Sequence, residues 1–240
     1  RLQEIRELQK ASGNKFSSGW KKWDDLVTRF LQPRGYEIID QLNLKASDAV
    51  LDIAGGTGEP GLTIASIVKN GKVIITDLAE EMLAIAAENA TRKNITNVET
   101  QVCDVCELPF ADNSFDAISC RFGYMFFPDL LLATREMARV LKPGGRIAVS
   151  VWGPPEKNFW VTAVGGTINQ NMQLDPPPPG APGMFRCAEP EMIQGLFKAA
   201  GLKQTGEKEV NSSLNLESTE VYWNMMTEVA APFVAALSKA

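Results

Sequence analysis

Three glycines within four positions, Gly55, Gly56 and Gly58, follow the mostly apolar run Val50-Leu51-Asp52-Ile53-Ala54. A glycine-rich turn lets a ligand touch bare backbone. If a helix starts just beyond it, free N–H groups are aimed at that ligand. Pro60 suits such a start, because its missing N–H would have had no partner there. Carboxylates supply the polar grip. Asp52 lies inside the run, and Asp77 lies about twenty residues past the turn, where an acidic side chain can accept hydrogen bonds from two ribose hydroxyls. These residue types at this spacing describe a site for a nucleoside-type cofactor.

The elements that must position these residues alternate. Strands are expected over 49–53, 72–76, 98–103, 115–120 and 146–152, and helices over 60–69, 79–91 and 130–141. Lys142-Pro143-Gly144-Gly145 reads as a helix stop. This alternation predicts an α/β fold with a doubly wound, mostly parallel sheet. Upstream, residues 20–43 read as two helical pieces broken near Pro33. Downstream, 159–172, 190–200 and 218–240 read as helical, 202–210 as a sixth strand, and Pro176 to Pro179 as a stiff extended connector. The expectation is a single domain over 1–240: a helical cap over 1–45, a cofactor-binding core over 46–152, and a substrate cap with remaining core elements over 153–240.

Composition narrows the chemistry. Net charge is −5 over 240 residues, which gives no electrostatic case for nucleic acid as a partner. No apolar run is long enough to span a bilayer, so stable membrane insertion is not expected. The chain has no histidine, which excludes histidine-based triads and histidine-ligated metals. Cys103 and Cys106 form a CxxC, but with no second pair and no histidine a zinc site lacks ligands, so no metal is expected. Four free thiols fit a reducing, cytoplasmic setting. The first residue is Arg1, and no seventh strand is evident before Ala240, so residues beyond both ends are expected.

The residues alone leave two cofactors open. Gly56-Thr57-Gly58-Glu59-Pro60-Gly61 fits the G-x-G-x-x-G fingerprint of a dinucleotide site, so an NAD(P)-dependent oxidoreductase is one reading. A non-catalytic cofactor-binding protein is another. The rest of the first half resembles the class I S-adenosylmethionine (SAM)-dependent methyltransferases, and among them the ubiquinone/menaquinone biosynthesis C-methyltransferase family. The matching segments are 50–58, Asp77-Leu78-Ala79-Glu80-Glu81-Met82-Leu83, 108–116, Phe122-Gly123 and Arg139-Val140-Leu141-Lys142-Pro143-Gly144-Gly145-Arg146. Ala54 stands where many class I members carry glycine.

The resemblance implies a Rossmann-like fold, SAM as cofactor, and methyl transfer to a small lipophilic or aromatic acceptor at carbon or oxygen. It also implies roles. Gly55, Gly56, Thr57 and Gly58 would let the backbone approach the methionine carboxylate and the ribose. Asp52 would orient that turn and meet the ammonium group. Asp77 would hold the ribose hydroxyls, with Leu78 and Met82 packing on the adenine. Asp104 would accept from the adenine amino group, with Val105 beside it. Arg121 falls where the family lines the methionine portion, usually with a small polar residue. The acceptor pocket is expected beyond the strand tips, lined from Phe16, Trp20, Tyr124, Met125, Phe126, Trp152, Trp160 and Met184, with Tyr124 the foremost polar candidate.

Overall fold

A computed structural model describes residues 2–172, 178 and 180–238. Five strands form one parallel sheet: β1 (Ala49–Ile53), β2 (Lys72–Asp77), β3 (Val98–Val102), β4 (Phe115–Arg121) and β5 (Leu141–Ser150), in the order β3-β2-β1-β4-β5. The order reverses between β1 and β4, so a crevice opens past the carboxyl ends of these two strands. Helices α3 (Gly61–Ile67), α4 (Glu80–Arg92) and α5 (Leu130–Val140) make the crossovers. Apolar strand residues face both layers. Val50, Val73, Ile75 and Ala117 pack with Ile38, Leu42, Leu62 and Ile64 on one side. Leu51, Ile53, Ile118 and Cys120 pack with Ala133, Met137 and Val140 on the other.

Two helices precede the sheet, α1 (Leu2–Lys22) and α2 (Asp24–Leu42). The break between them falls at Trp23, not near Pro33, which lies inside α2. Losing one backbone bond at Pro33 is offset by the face buried on both sides of it, Phe30, Leu31, Ile38 and Leu42. The acidic pair Asp24 and Asp25 opens α2, where the helix dipole favours negative charge.

Other expectations are corrected. Strand β5 begins at Leu141 and takes in the Lys142–Gly145 stretch, because Phe115 pairs with Leu141 and the ladder resumes, after an irregularity, at Ala117 with Arg146. Trp152 lies beyond it. Residues 202–210 form no strand, so the sheet has five strands among the described residues. Beyond β5 come α6 (Phe159–Met172), α7 (Met192–Ala199), α8 (Thr219–Val229) and α9 (Ala231–Leu237). Residues 176, 177 and 179 of the proline run lie outside the described residues. Among the described residues no helix is long and apolar enough to cross a membrane.

Candidate active site

The glycine turn sits at the tip of β1. Gly56 and Gly58 take positive φ, +54° and +116°, and Gly58 N donates to Gly55 O at 2.8 Å, closing a tight turn. A side chain at Gly58 would meet Leu62 at 2.7 Å, whereas one at Gly56 would meet only the end of Met82, at 3.5 Å. The backbone at Gly56 is therefore accessible, while Gly58 is pressed against the start of α3.

Two carboxylates organise this turn. Asp52 is fully buried; its Oδ1 accepts from Ser119 Oγ at 2.6 Å and its Oδ2 from Gly61 N at 3.0 Å. Burial pushes its pKa up to about 7, against the lowering effects of Ser119, Arg121 and Gly61. Asp77, at the end of β2, accepts from Gly56 N at 3.0 Å and from Ala79 N at 2.9 Å. Desolvation raises its pKa too, with those backbone donors working against the shift. Each Asp77 oxygen keeps a lone pair after these bonds. The Thr57 side chain points away from the turn. Its Oγ1 donates to Asp24 Oδ1 at 2.6 Å, and Asn89 donates to Asp24 Oδ2 and to Thr57 O. These bonds tie the start of α2 to the turn.

Met82 and Val105 are buried and Leu78 is half-buried, forming an apolar rim beside Asp77. Asp104 is not free. Its Oδ1 accepts from Cys106 N at 2.8 Å, and its Oδ2 is paired with Arg6 Nε from α1. Those two paired atoms are buried and have no other partner. Helix α1 continues along this rim. Asn14 Oδ1 accepts from Glu81 N at the start of α4, and Lys21 Nζ reaches Glu88 at 2.5 Å. Gly13 lies so close to Ala79 that a Cβ there would sit 2.6 Å from the Ala79 Cβ. Phe16 and Trp20 therefore ride on a helix that covers the Asp77 side of the crevice. A cavity of about 320 Å³ lies elsewhere, lined by Lys21, Asp24, Asp25, Ile85, Glu88, Asn89 and Arg92 where α1 and α2 meet α4.

Arg121 ends β4 and makes no ion pair among the described residues, although Asp52, Glu59 and Asp24 act on it electrostatically; desolvation lowers its pKa. Tyr124 is corrected. It has no exposed surface, its hydroxyl bonds Thr134 Oγ1 at 2.5 Å, and burial raises its pKa. It is a core residue, in the turn Tyr124–Phe126, rather than a polar group offered to an acceptor. The cysteines are all free; burial raises Cys103 and Cys106 to about 11, so neither is a poised nucleophile. No metal-binding group occurs among the described residues.

Sequence reasoning missed Ser119, Arg6, Asn14 and Asp24. Ser119 left a trace: strand alternation places it with Ala117 and Arg121 on the face that also carries Val50 and Asp52. The other three come from elements remote in sequence and left no local signal.

The residues fit a SAM-type cofactor. Gly56 offers accessible backbone, Asp77 has unused lone pairs, an apolar rim lies beside it, and a buried carboxylate stands behind the turn. Comparison with known proteins agrees. Over residues 23–162 the chain matches the model of the ubiE/COQ5 methyltransferase family. A "Ubiquinone/menaquinone biosynthesis C-methyltransferase UbiE" of Cellvibrio japonicus is 40% identical over 123 residues, 50% of this chain and 49% of that protein. A "Demethylmenaquinone methyltransferase" of Thermus thermophilus is 33% identical over 168 residues, 65% of this chain and 75% of that protein. The chain thus spans about half the length of most of the curated relatives it matches. Among solved structures, the Bacillus subtilis YcgJ protein aligns with a TM-score of 0.60 at 25% identity, covering 87% of this chain and 84% of that one. A Haemonchus contortus phosphoethanolamine N-methyltransferase solved with S-adenosylhomocysteine aligns with a TM-score of 0.53 at 25% identity, covering 71% of this chain and 37% of that one. With a Rossmann-like class I fold and a family match over more than half its length, this chain belongs to the ubiE/COQ5 methyltransferase family.

Proposed function

We propose that the chain is a SAM-dependent methyltransferase acting on a small aromatic or lipophilic acceptor of the quinol kind. One observation carries the cofactor assignment: Asp77 bridges Gly56 N and Ala79 N, which fixes a carboxylate with spare lone pairs against an accessible glycine backbone. In this reading Asp77 accepts from the ribose hydroxyls. Leu78, Met82 and Val105 enclose the adenine. Asp52 meets the ammonium group, while Gly55, Gly56, Thr57 and Gly58 present backbone to the methionine end. Arg121 stands at the same end and offsets the carboxylate charge. Asp104 is available to the adenine amino group only once Arg6 releases it.

When bound, the cofactor supplies an electrophilic methyl on a sulfonium, so it brings its own activation. The chain's work is alignment and the exclusion of water. Helix α1, with Phe16 and Trp20, closes one side of the crevice. The family relationship supports a quinone-type acceptor, since the matched relatives are named for ubiquinone/menaquinone biosynthesis and for demethylmenaquinone methylation. Free thiols support a cytoplasmic setting. Calorimetric titration tests the cofactor: S-adenosylhomocysteine (SAH) binds and NADH does not. Binding of NADH alone would overturn the proposal in favour of an oxidoreductase.

A further inference from the structure

The Arg121 side chain makes neither an ion pair nor a hydrogen bond among the described residues. A guanidinium drawn out of water is costly unless a partner takes its N–H groups, and desolvation lowers its pKa here. Its surroundings show where that partner would sit. Arg121 lines a cleft of about 150 Å³ between α2 and the start of α3. A Cβ at Gly35 would lie 3.7 Å from Arg121 Nη1 and 3.7 Å from Pro60 Cβ, so the bare backbone at Gly35 leaves the guanidinium open to this space. Neither the turn Gly55 to Gly58 nor Asp77 lines the cleft, which is therefore separate from the crevice assigned to the adenosyl moiety.

The same cleft offers further donors. The Tyr36 hydroxyl accepts from Gln32 Nε2 at 2.7 Å, so its own proton is unused. The Thr28 hydroxyl makes no hydrogen bond among the described residues. Glu59 is the carboxylate in the lining, and it is occupied. Its Oε1 accepts from Lys93 Nζ at 2.5 Å, and its Oε2 accepts from Thr63 N at 3.1 Å and Thr63 Oγ1 at 2.7 Å. Two cations, Arg121 and Lys93, thus face one carboxylate. The other carboxylates that act on Arg121 are bonded elsewhere, Asp52 to Ser119 and Gly61, Asp24 to Thr57 and Asn89. Arg34, next to Gly35 on α2, adds a second cation without an ion pair among the described residues; it donates to Phe30 O and Ser212 Oγ. The missing partner of Arg121 is therefore an anion.

From this geometry we propose that the cleft between α2 and α3 binds a phosphate group. The Arg121 fork donates to two of its oxygens, and the Tyr36 hydroxyl, the Thr28 hydroxyl and Lys93 donate to the others. Donors carried on β4, on α2 and at the end of α4 suit a tetrahedral oxyanion better than a planar carboxylate, and a guanidinium matches phosphate with two parallel bonds. Arg121 acts on the methionine end of the crevice through its charge and on the cleft through its N–H groups. Tyr36 and Lys93 are exposed at the mouth, so free phosphate and the head of a phosphomonoester present the same chemistry to the site.

The test is calorimetric titration of the full chain with inorganic phosphate at constant ionic strength. Wild type is expected to saturate at one phosphate per chain, with a Kd of about 1 mM or tighter. Arg121→Gln should abolish binding. Tyr36→Phe, an exposed change, should weaken phosphate about tenfold while the melting temperature and SAH affinity stay as in wild type. Glycerol 3-phosphate, run beside phosphate, distinguishes the sources: tighter binding of the ester assigns the site to a phosphomonoester, and tighter binding of the ion assigns it to free phosphate. Binding that does not saturate, or either variant binding phosphate as wild type does, would overturn the inference. Saturating SAH should leave the phosphate isotherm in place; its disappearance would make the cleft the cofactor's own carboxylate site and overturn the proposal. A protein that binds phosphate but no SAH would keep this site and overturn the methyltransferase reading alone.

Discussion

Replacing Arg6 by alanine should tighten cofactor binding while weakening the fold. Arg6 holds Asp104, the carboxylate assigned to the adenine amino group, and the two side chains are 25% and 13% exposed. The pair lies between two regimes. Exposed pairs contribute about 0–1 kcal/mol, and breaking a fully buried one costs about 3–5 kcal/mol. Asp104 keeps its bond from Cys106 N in the variant, so the loss should fall low in that interval, about 1–2 kcal/mol. The melting temperature should therefore fall by about 2–8 °C. Wild type must give up the same interaction before the adenine can take Asp104. Arg6→Ala removes that competition, so SAH affinity should rise by about 5–30-fold. Calorimetry reads the affinity, and a thermal scan of the free protein reads the stability. If stability drops while SAH affinity is unchanged or weaker, Arg6 does not compete with the cofactor, and the role of Asp104 must be abandoned.

Further outcomes follow from single side chains. Asp52 has a folded pKa raised to about 7 by burial, so the folded state holds its proton more tightly than the unfolded chain. Its contribution is most favourable below pH 4 and is lost as pH rises toward 7, by up to about 4 kcal/mol. Asp52→Asn stays neutral and can still bond Gly61 N and Ser119. Its melting temperature relative to wild type should rise between pH 5 and pH 8, and a flat difference would contradict the assigned burial. The charged form of Asp52 is the one that meets an ammonium group, so wild-type SAH affinity should increase as pH rises through 7; a decrease would remove Asp52 from the cofactor site. Asp77→Ala should weaken SAH by about 1–3 kcal/mol, measured by calorimetry, and an unchanged constant would refute ribose binding. Tyr124→Phe should cost about 1 kcal/mol of stability through the lost Thr134 bond and leave SAH affinity alone; a large affinity change would restore Tyr124 to the site.

The parallel core was legible because its signals are local. Val50 to Gly58, Asp77 and the apolar strands each carry their meaning within a few residues. Asp77 ends β2, and Asp52 is buried one residue before the end of β1. The misreadings have physical causes as well. Pro33 signals a break, but helix α2 continues through it because tertiary burial outweighs one lost backbone bond. Lys142 to Gly145 signals a stop, and the helix does end there, yet the stretch is drawn into β5 by pairing with β4. Tyr124 follows β4 directly, a position that reads as open to the crevice. Only the packing of α5 shows that Thr134 takes its hydroxyl. The cover over Asp104 was illegible in principle: Arg6 and Asp104 are distant in sequence, and nothing near either residue announces the other.

In the proposed site, the turn after β1 and the Asp77 carboxylate hold the adenosyl moiety of the donor. A crystal structure of the SAH complex tests it most directly. In that complex the ribose hydroxyls should lie on Asp77, the adenine against Leu78 and Met82, and Arg6 should be displaced from Asp104. Adenosine bound elsewhere, or a ribose that leaves Asp77 untouched, would contradict it.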